Sequence, residues 1–186
     1  MNRRITYLIL AITALVSGTS CIKEKLELTY TNQESKIDQY IKSNKYTDSS
    51  KTDSLRVVYN NGSTRLVYTE GTGEELNAEG TVAFYYAGYT FNGSYNKSNL
   101  FVTNDEDTAK DAGWELTDEG YEIYKINMGE AKLLEGLRNG LLGVKAGEVC
   151  KILFSGKYGF GNEEFGIIPA NSALIYEITV EAVSND

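Results

Sequence analysis

The chain has 186 residues, 41% of them hydrophobic, and its 26 acidic residues outweigh 18 basic ones for a formal charge of -8. That length and apolar content suit one domain of ordinary size with an appendage, and the acidic balance argues against nucleic acid as a partner. It has no histidine, which excludes serine triads, His-ligated zinc and imidazole acid–base chemistry.

The N-terminus reads as an export signal, with Arg3-Arg4, an apolar run from Ile5 to Val16, and Gly18, Thr19 and Ser20 in front of Cys21. About a dozen apolar residues is too short to span a bilayer. The small residues before Cys21 resemble the lipobox of bacterial lipoproteins, although Gly18 stands where that motif usually has leucine. The resemblance implies cleavage after Ser20, a lipid on Cys21 and a bacterial cell-envelope location, periplasmic or surface-exposed. Loss of Arg3 and Arg4 with the signal would leave the mature chain more acidic still. The expected organisation is a signal over 1–20, a tether over 21–54 and a globular domain over 55–186.

After Cys21, "IKEKLELTY" reads as a polar tether. "TNQESKIDQYIKSNK" predicts a short amphipathic helix that starts at a Thr31/Glu34 capping box and carries Ile37, Tyr40 and Ile41 on one face. "YTDSSKTDS" has no apolar period and reads as a linker. Residues 55–70 hold two β-rich runs around Asn61-Gly62, a dipeptide that tolerates the positive φ of a tight hairpin. "TVAFYYAGYTF" is a strand, and Asn92-Gly93 allows a reversal toward "SNLFV".

Residues 103–122 are acidic and read as an insertion, a solvated lid or partner surface, with "NDEDTAKDAG" as a helical turn capped by Asn104 and closed by Gly113. Asp105-x-Asp107 begins like a calcium loop, but Ala109 and Lys110 break the pattern. No metal or other cofactor is expected. "YEIYKINM" follows as a strand, and Leu133, Leu134, Leu137 and Leu141 then recur at helical spacing. In the strand "EVCKILF", Cys150 alternates with Ile152 and Phe154 as a small buried hydrophobe, so no disulfide to Cys21 is expected. The last strand alternates Leu174, Tyr176, Ile178 and Val180 with Glu177, Thr179 and Glu181, which predicts one buried and one wet face. Many strands, one apolar helix and no βαβ alternation make an antiparallel α+β domain.

One feature does not fit plain core packing. Phe160, Phe165, Ile167 and Ile168 sit on a glycine-punctuated loop that ends at Pro169, the chain's sole proline. Loops with such residues fold over a cavity or form a binding surface. Ile167 and Ile168 are expected at the rim of such a cavity, with Pro169 fixing φ at the exit so that Ile168 points inward.

Over roughly residues 71–183 the order of these pieces resembles the FKBP-type peptidyl-prolyl isomerases. The strongest stretch is Met128 to Gly161, a Gly-closed strand, short helix, V-x-x-G turn, strand and aromatic-Gly loop, followed by "GIIP". The resemblance implies a twisted antiparallel sheet wrapped around one short helix, with a shallow aromatic pocket between them. It implies catalytic contacts from Tyr86, Phe101, Leu134 (through its backbone N–H), Phe160 and Tyr176, and substrate binding by Tyr124, Leu133, Leu137, Ile167 and Ile168. Three positions depart from the family pattern: Phe160 replaces a tyrosine, Val102 a carboxylate and Leu137 a tryptophan. An alternative alignment puts Tyr95-Asn96, rather than Phe101-Val102, at the phenylalanine and carboxylate positions.

The implied function is isomerisation of X-Pro bonds in exported or unfolded proteins, at reduced activity, with proline-containing polypeptides and, through the Cys21 lipid, a membrane as partners. The alternatives are a non-catalytic peptide-binding or chaperone lipoprotein on the same fold, and an envelope structural or adhesion element that self-associates through its N-terminal helix.

Overall fold

A computed structural model of the chain describes residues 2–47 and 53–186, with side chains from Ile22 onward. The expected signal over 1–20, the Cys21 side chain and the middle of the linker lie outside the described residues. The chain divides into two units, residues 1–32 and Gln33–Asp186. The second is the one that carries the sheet, and it begins well before Leu55.

Asn61 (φ 43°) and Gly62 (φ 81°) both take left-handed backbone, the geometry that matches the twist of flanking strands. They close the hairpin of β1 (Arg56–Asn60) and β2 (Ser63–Thr69). The other strands are β3 (Thr81–Phe91), β4 (Leu100–Thr103), β5 (Tyr124–Asn127), β6 (Val149–Phe154) and β7 (Ala173–Ser184). Among the described residues these seven form one sheet in the order β1-β2-β6-β7-β3-β4, with β5 paired to the first residues of β3. Every pairing is antiparallel, so the fold is the expected α+β class.

Three helices accompany the sheet among the described residues: α1 (Asn2–Asn44), α2 (Glu106–Asp111) and α3 (Glu135–Leu141). The helix predicted to start at Thr31 is part of the much longer α1. The Thr31 hydroxyl donates back to the Glu27 carbonyl at 3.0 Å instead of capping. The stretch read as a tether is rich in Lys, Glu and Leu and has no Gly or Pro, so nothing in it stops a helix. In the acidic insertion, α2 forms as expected, but its cap is Asp105, whose side chain accepts from the Thr108 N–H. Asn104 is buried instead and accepts from the Tyr86 N–H at 2.7 Å.

Helix α3 lies on one face of the sheet above Val82, Phe84, Ile152, Phe154, Tyr176 and Ile178, which form the larger core cluster with Leu137 and Leu141. It is shorter than the leucine spacing predicts: Leu133 precedes it and Leu134 is its N-cap. A Cβ on Gly136 would stand 2.2 Å from Phe154, and one on Gly140 2.1 Å from Ile152, so these two glycines let the helix sit directly on β6.

The opposite face of the sheet is not simply wet. Ile37 and Ile41 of α1 pack over Leu66, Ala87, Tyr89, Phe91, Leu153 and Ile175 as a second buried cluster. The Tyr40 ring meets Phe91 edge-on at 5.4 Å. Ile175 is therefore buried although its neighbours Leu174 and Tyr176 point into the other core. The expected alternation holds from Tyr176 onward, with Tyr176, Ile178 and Val180 buried, Glu177 and Thr179 half-buried and Glu181 exposed; only at Ile175 does α1 bury the other face as well.

A buried charge pair ties α3 to the sheet. Arg65 and Glu148 are 2% and 0% exposed, with Arg65 Nε 3.0 Å from Glu148 Oε1. Arg65 Nη1 also donates to the Gly140 and Leu142 carbonyls at 2.5 and 2.7 Å. A cation is thus held where the helix C-terminus concentrates negative charge. Arg65→Met leaves Glu148 a buried charge with only Arg56 beside it, and should cost about 3–5 kcal/mol of stability in urea unfolding. The double variant Arg65→Met/Glu148→Leu should recover a large part of that loss; recovery of none would show that the pair is not the cause.

Candidate functional site

The expected site residues arrive from six directions. β3 supplies Tyr86, β4 supplies Phe101, and β5 supplies Tyr124. The turn into α3 brings Leu133 and Leu134, and the helix itself Leu137. The loop between β6 and β7 brings Phe160, Ile167 and Ile168, and β7 brings Tyr176. All ten line one cavity of about 760 Å³.

The lining also includes Val102, at the position of the family's carboxylate, and Phe165, from the apolar loop, together with Phe84, Trp114, Lys132 and Gly166, which the sequence did not point to. Trp114 is the least expected, because it comes from the acidic insertion. The alternative placement of Tyr95-Asn96 fails. Tyr95 lies on the other face of the sheet, where its hydroxyl donates to Glu177 Oε1 and accepts from Lys151 Nζ, both at 2.6 Å.

Two groups of rings shape the cavity. In one, Tyr176 stacks on Phe154 at 6.0 Å and meets Phe101 edge-on at 5.8 Å, and Phe101 meets Phe160 at 6.4 Å. In the other, Phe84, Tyr86 and Tyr124 form a triangle with centroids 5.6–5.8 Å apart. Edge-to-face contacts of this kind add about 0.5–1.5 kcal/mol each beyond area burial and hold the rings in fixed orientations.

The loop segment from Phe165 to Ile168 is a tight turn. The Phe165 N–H donates to the Ile168 carbonyl at 3.0 Å, and the Ile168 N–H returns to the Phe165 carbonyl at 2.9 Å. Gly166 takes φ +59° at its tip, a conformation that costs glycine little. The turn splits its apolar residues. Ile168 goes into the core at 2% exposure, while Ile167 at 68% and Phe165 at 63% stand out at the rim. The Phe165 ring stacks on Phe160 at 4.9 Å.

Polar groups in the cavity are few. Burial first, and the nearby Tyr86 phenol second, push the Tyr176 hydroxyl above its usual range. Burial and then Tyr124 raise Tyr86 likewise. Both phenols are therefore neutral donors at physiological pH. The Leu134 N–H, at the start of α3, has no acceptor among the described residues. Burial also raises the Cys150 thiol, which β6 carries into the core and outside the cavity lining.

Residues 73–181 match the profile of a family described as FKBP-type peptidyl-prolyl cis-trans isomerase. FK506-binding protein 1 of Aspergillus oryzae is 36% identical over 53 residues, 28% of this chain and 46% of that protein. Peptidyl-prolyl cis-trans isomerase FKBP12 of Arabidopsis thaliana is 34% identical over 73 residues, 38% of this chain and 64% of that protein. The chain thus spans about half of the first relative and less than two thirds of the second. The crystal structure of FkpA from Escherichia coli superposes with a TM-score of 0.52 at 19% identity, over 99% of this chain and 73% of that one, a likeness of fold alone.

The buried Tyr176 phenol and the half-buried Tyr86 phenol make stability depend on alkaline pH. Their folded-state pKa values lie above the ordinary 10.0, so their contribution is complete below pH 10 and falls as the unfolded chain ionises first. The urea midpoint should therefore drop as the pH rises above about 10, and Tyr176→Phe should make that drop shallower. An unchanged slope in the variant would assign the alkaline loss to other groups.

Proposed function

The chain belongs to the FKBP-type peptidyl-prolyl cis-trans isomerase family, and from that premise we propose that it isomerises X-Pro bonds of unfolded or newly exported polypeptides, at a rate below that of a fully equipped site. The observation that carries this reading is the cavity lining: ten residues remote in sequence border one apolar hollow, with Ile168 turned into it.

The reaction suits a site with no histidine and no nucleophile. Rotation about a peptide bond is opposed by C–N resonance, a barrier of about 18–20 kcal/mol. For X-Pro the cis and trans forms differ by only about 0.5–1 kcal/mol, so both are populated in substrates. Resonance puts negative charge on the carbonyl oxygen. An apolar wall of Phe101, Leu137, Phe160 and Tyr176 solvates that charge poorly and therefore favours the twisted amide, in which it is reduced. The free Leu134 N–H is the donor that holds a substrate carbonyl, and the neutral Tyr86 and Tyr176 phenols are further donors on the facing strands. Each such hydrogen bond contributes about 0.5–1.5 kcal/mol.

Phe160 and Val102 lack the hydroxyl and carboxylate that the family pattern has at their positions. This favours reduced turnover and gives substance to a second reading, a peptide-binding or chaperone module without catalysis. In a cis-to-trans release assay on a proline tetrapeptide, the full chain should accelerate isomerisation above the uncatalysed rate. Phe160→Tyr should then raise kcat/KM by about three- to tenfold. Peptide binding at the uncatalysed rate would select the module without catalysis.

The proposal extends to the envelope. The apolar run and the small residues before Cys21 support a lipid-anchored form of the chain. Expressed in a bacterium with lipoprotein processing, the chain should fractionate with membranes and carry diacylglycerol on Cys21 by mass spectrometry. Cys21→Ser should release it to the soluble fraction, and a wild-type chain free of lipid would refute the anchor.

A further inference from the structure

Trp114 is the chain's single tryptophan, and no part of the motif that identifies the site includes it. It follows α2 in the acidic insertion, yet its indole lines the cavity with Phe101, Val102 and Tyr124. We propose that Trp114 is a specificity-determining wall of the prolyl site, against which a large apolar side chain flanking the proline packs.

Three observations carry this. First, the residue is held in place. Its backbone N–H donates to the Ala109 carbonyl at 2.8 Å, and Ala109 is fully buried. The insertion is clasped at both ends by Asn104, which accepts from the Tyr86 N–H at 2.7 Å and donates to the Glu122 carbonyl at 3.0 Å. The indole also packs against the core cluster on the far face of the sheet. A side chain anchored on one side and open to a cavity on the other is a wall rather than a mobile lid.

Second, the rings on both sides of the cavity are committed to one another, in the Phe154–Tyr176–Phe101–Phe160–Phe165 series and the Phe84–Tyr86–Tyr124 triangle. Trp114 belongs to neither group, so its cavity-facing surface is open to a ligand. Third, the space is too large for proline alone. A volume of about 760 Å³ lies within the range of roughly 300–1,000 Å³ that accepts drug-sized ligands, so residues beside the proline must enter it as well. Leu137, where the family pattern has tryptophan, leaves Trp114 the only indole available to meet them.

This inference rests on the cavity being the X-Pro site, and the test separates the two. The full chain is titrated with two proline tetrapeptides, one with phenylalanine and one with alanine flanking the proline, while tryptophan emission and kcat/KM are followed. The phenylalanine peptide should shift the emission to shorter wavelength as it covers the half-buried indole. Trp114→Ala should lower kcat/KM for that peptide about tenfold and leave the alanine peptide within about twofold, while Trp114→Phe restores most of the loss. Normal turnover with unchanged emission, or an equal loss on both peptides, overturns the role of Trp114 and leaves the isomerase reading standing. Absence of both binding and turnover overturns that reading and this one with it.

Discussion

The grip of Arg65 on the end of helix α3 is the constraint on which the site depends. A helix of seven residues is too short to be stable by itself, and it reaches its place through the surfaces it meets. Gly136 and Gly140 remove the side chains that would hold it off β6, and the buried Arg65 guanidinium collects the carbonyls that the helix end leaves without partners. Arg138 repeats the device in the other direction, donating to the Met128 and Ala131 carbonyls and so fixing the turn that delivers Leu133 and Leu134. Without these ties the cavity would lose the wall that faces the sheet.

The opposite wall is fixed from behind the sheet. Gln33 donates to the Asn171 carbonyl at 2.6 Å and accepts from the Gly156 N–H at 2.9 Å. Those two residues bracket the loop that carries Phe160, Phe165 and Ile168. Asn171 donates in turn to the Gly161 carbonyl at 2.6 Å, closing the loop on itself. Helix α1, none of whose described side chains lines the cavity, is thus bonded to both ends of the loop that forms its rim, and its Ile37 and Ile41 cover the sheet beneath. This is a physical reason for the globular unit to begin at Gln33 rather than at the first strand.

The chemistry follows from what these walls exclude. Bond rotation gains nothing from an acid, a base or a metal; it gains from an environment that leaves amide charge separation poorly solvated and holds the carbonyls in a twisted arrangement. A cavity lined by aromatic rings, leucines and isoleucines meets the first requirement. In the proposed reaction the second would fall to the Leu134 N–H and the neutral Tyr86 and Tyr176 phenols, in place of the loop hydroxyl and carboxylate missing at Phe160 and Val102. The insertion completes the enclosure with Trp114.

The sequence by itself determined the strands, because period-two alternation and Asn-Gly turns are local properties, and through its resemblance to the FKBP family it pointed to the ten residues that line the cavity. It determined Cys150 as buried, too, from its neighbours in one strand. Tertiary structure alone decided the rest. Arg65 and Glu148 look like ordinary surface charges until β2, β6 and α3 bring them together. Ile175 looks like a misplaced apolar residue until α1 covers it. The Thr31/Glu34 capping signal is real as a pattern, but the helix runs through it, because capping competes with the helical propensity of the residues before it. Trp114 gives no sign of its place, since an insertion has no period or motif spacing of its own, and its position depends on the Asn104 clasp to a strand far away in the chain.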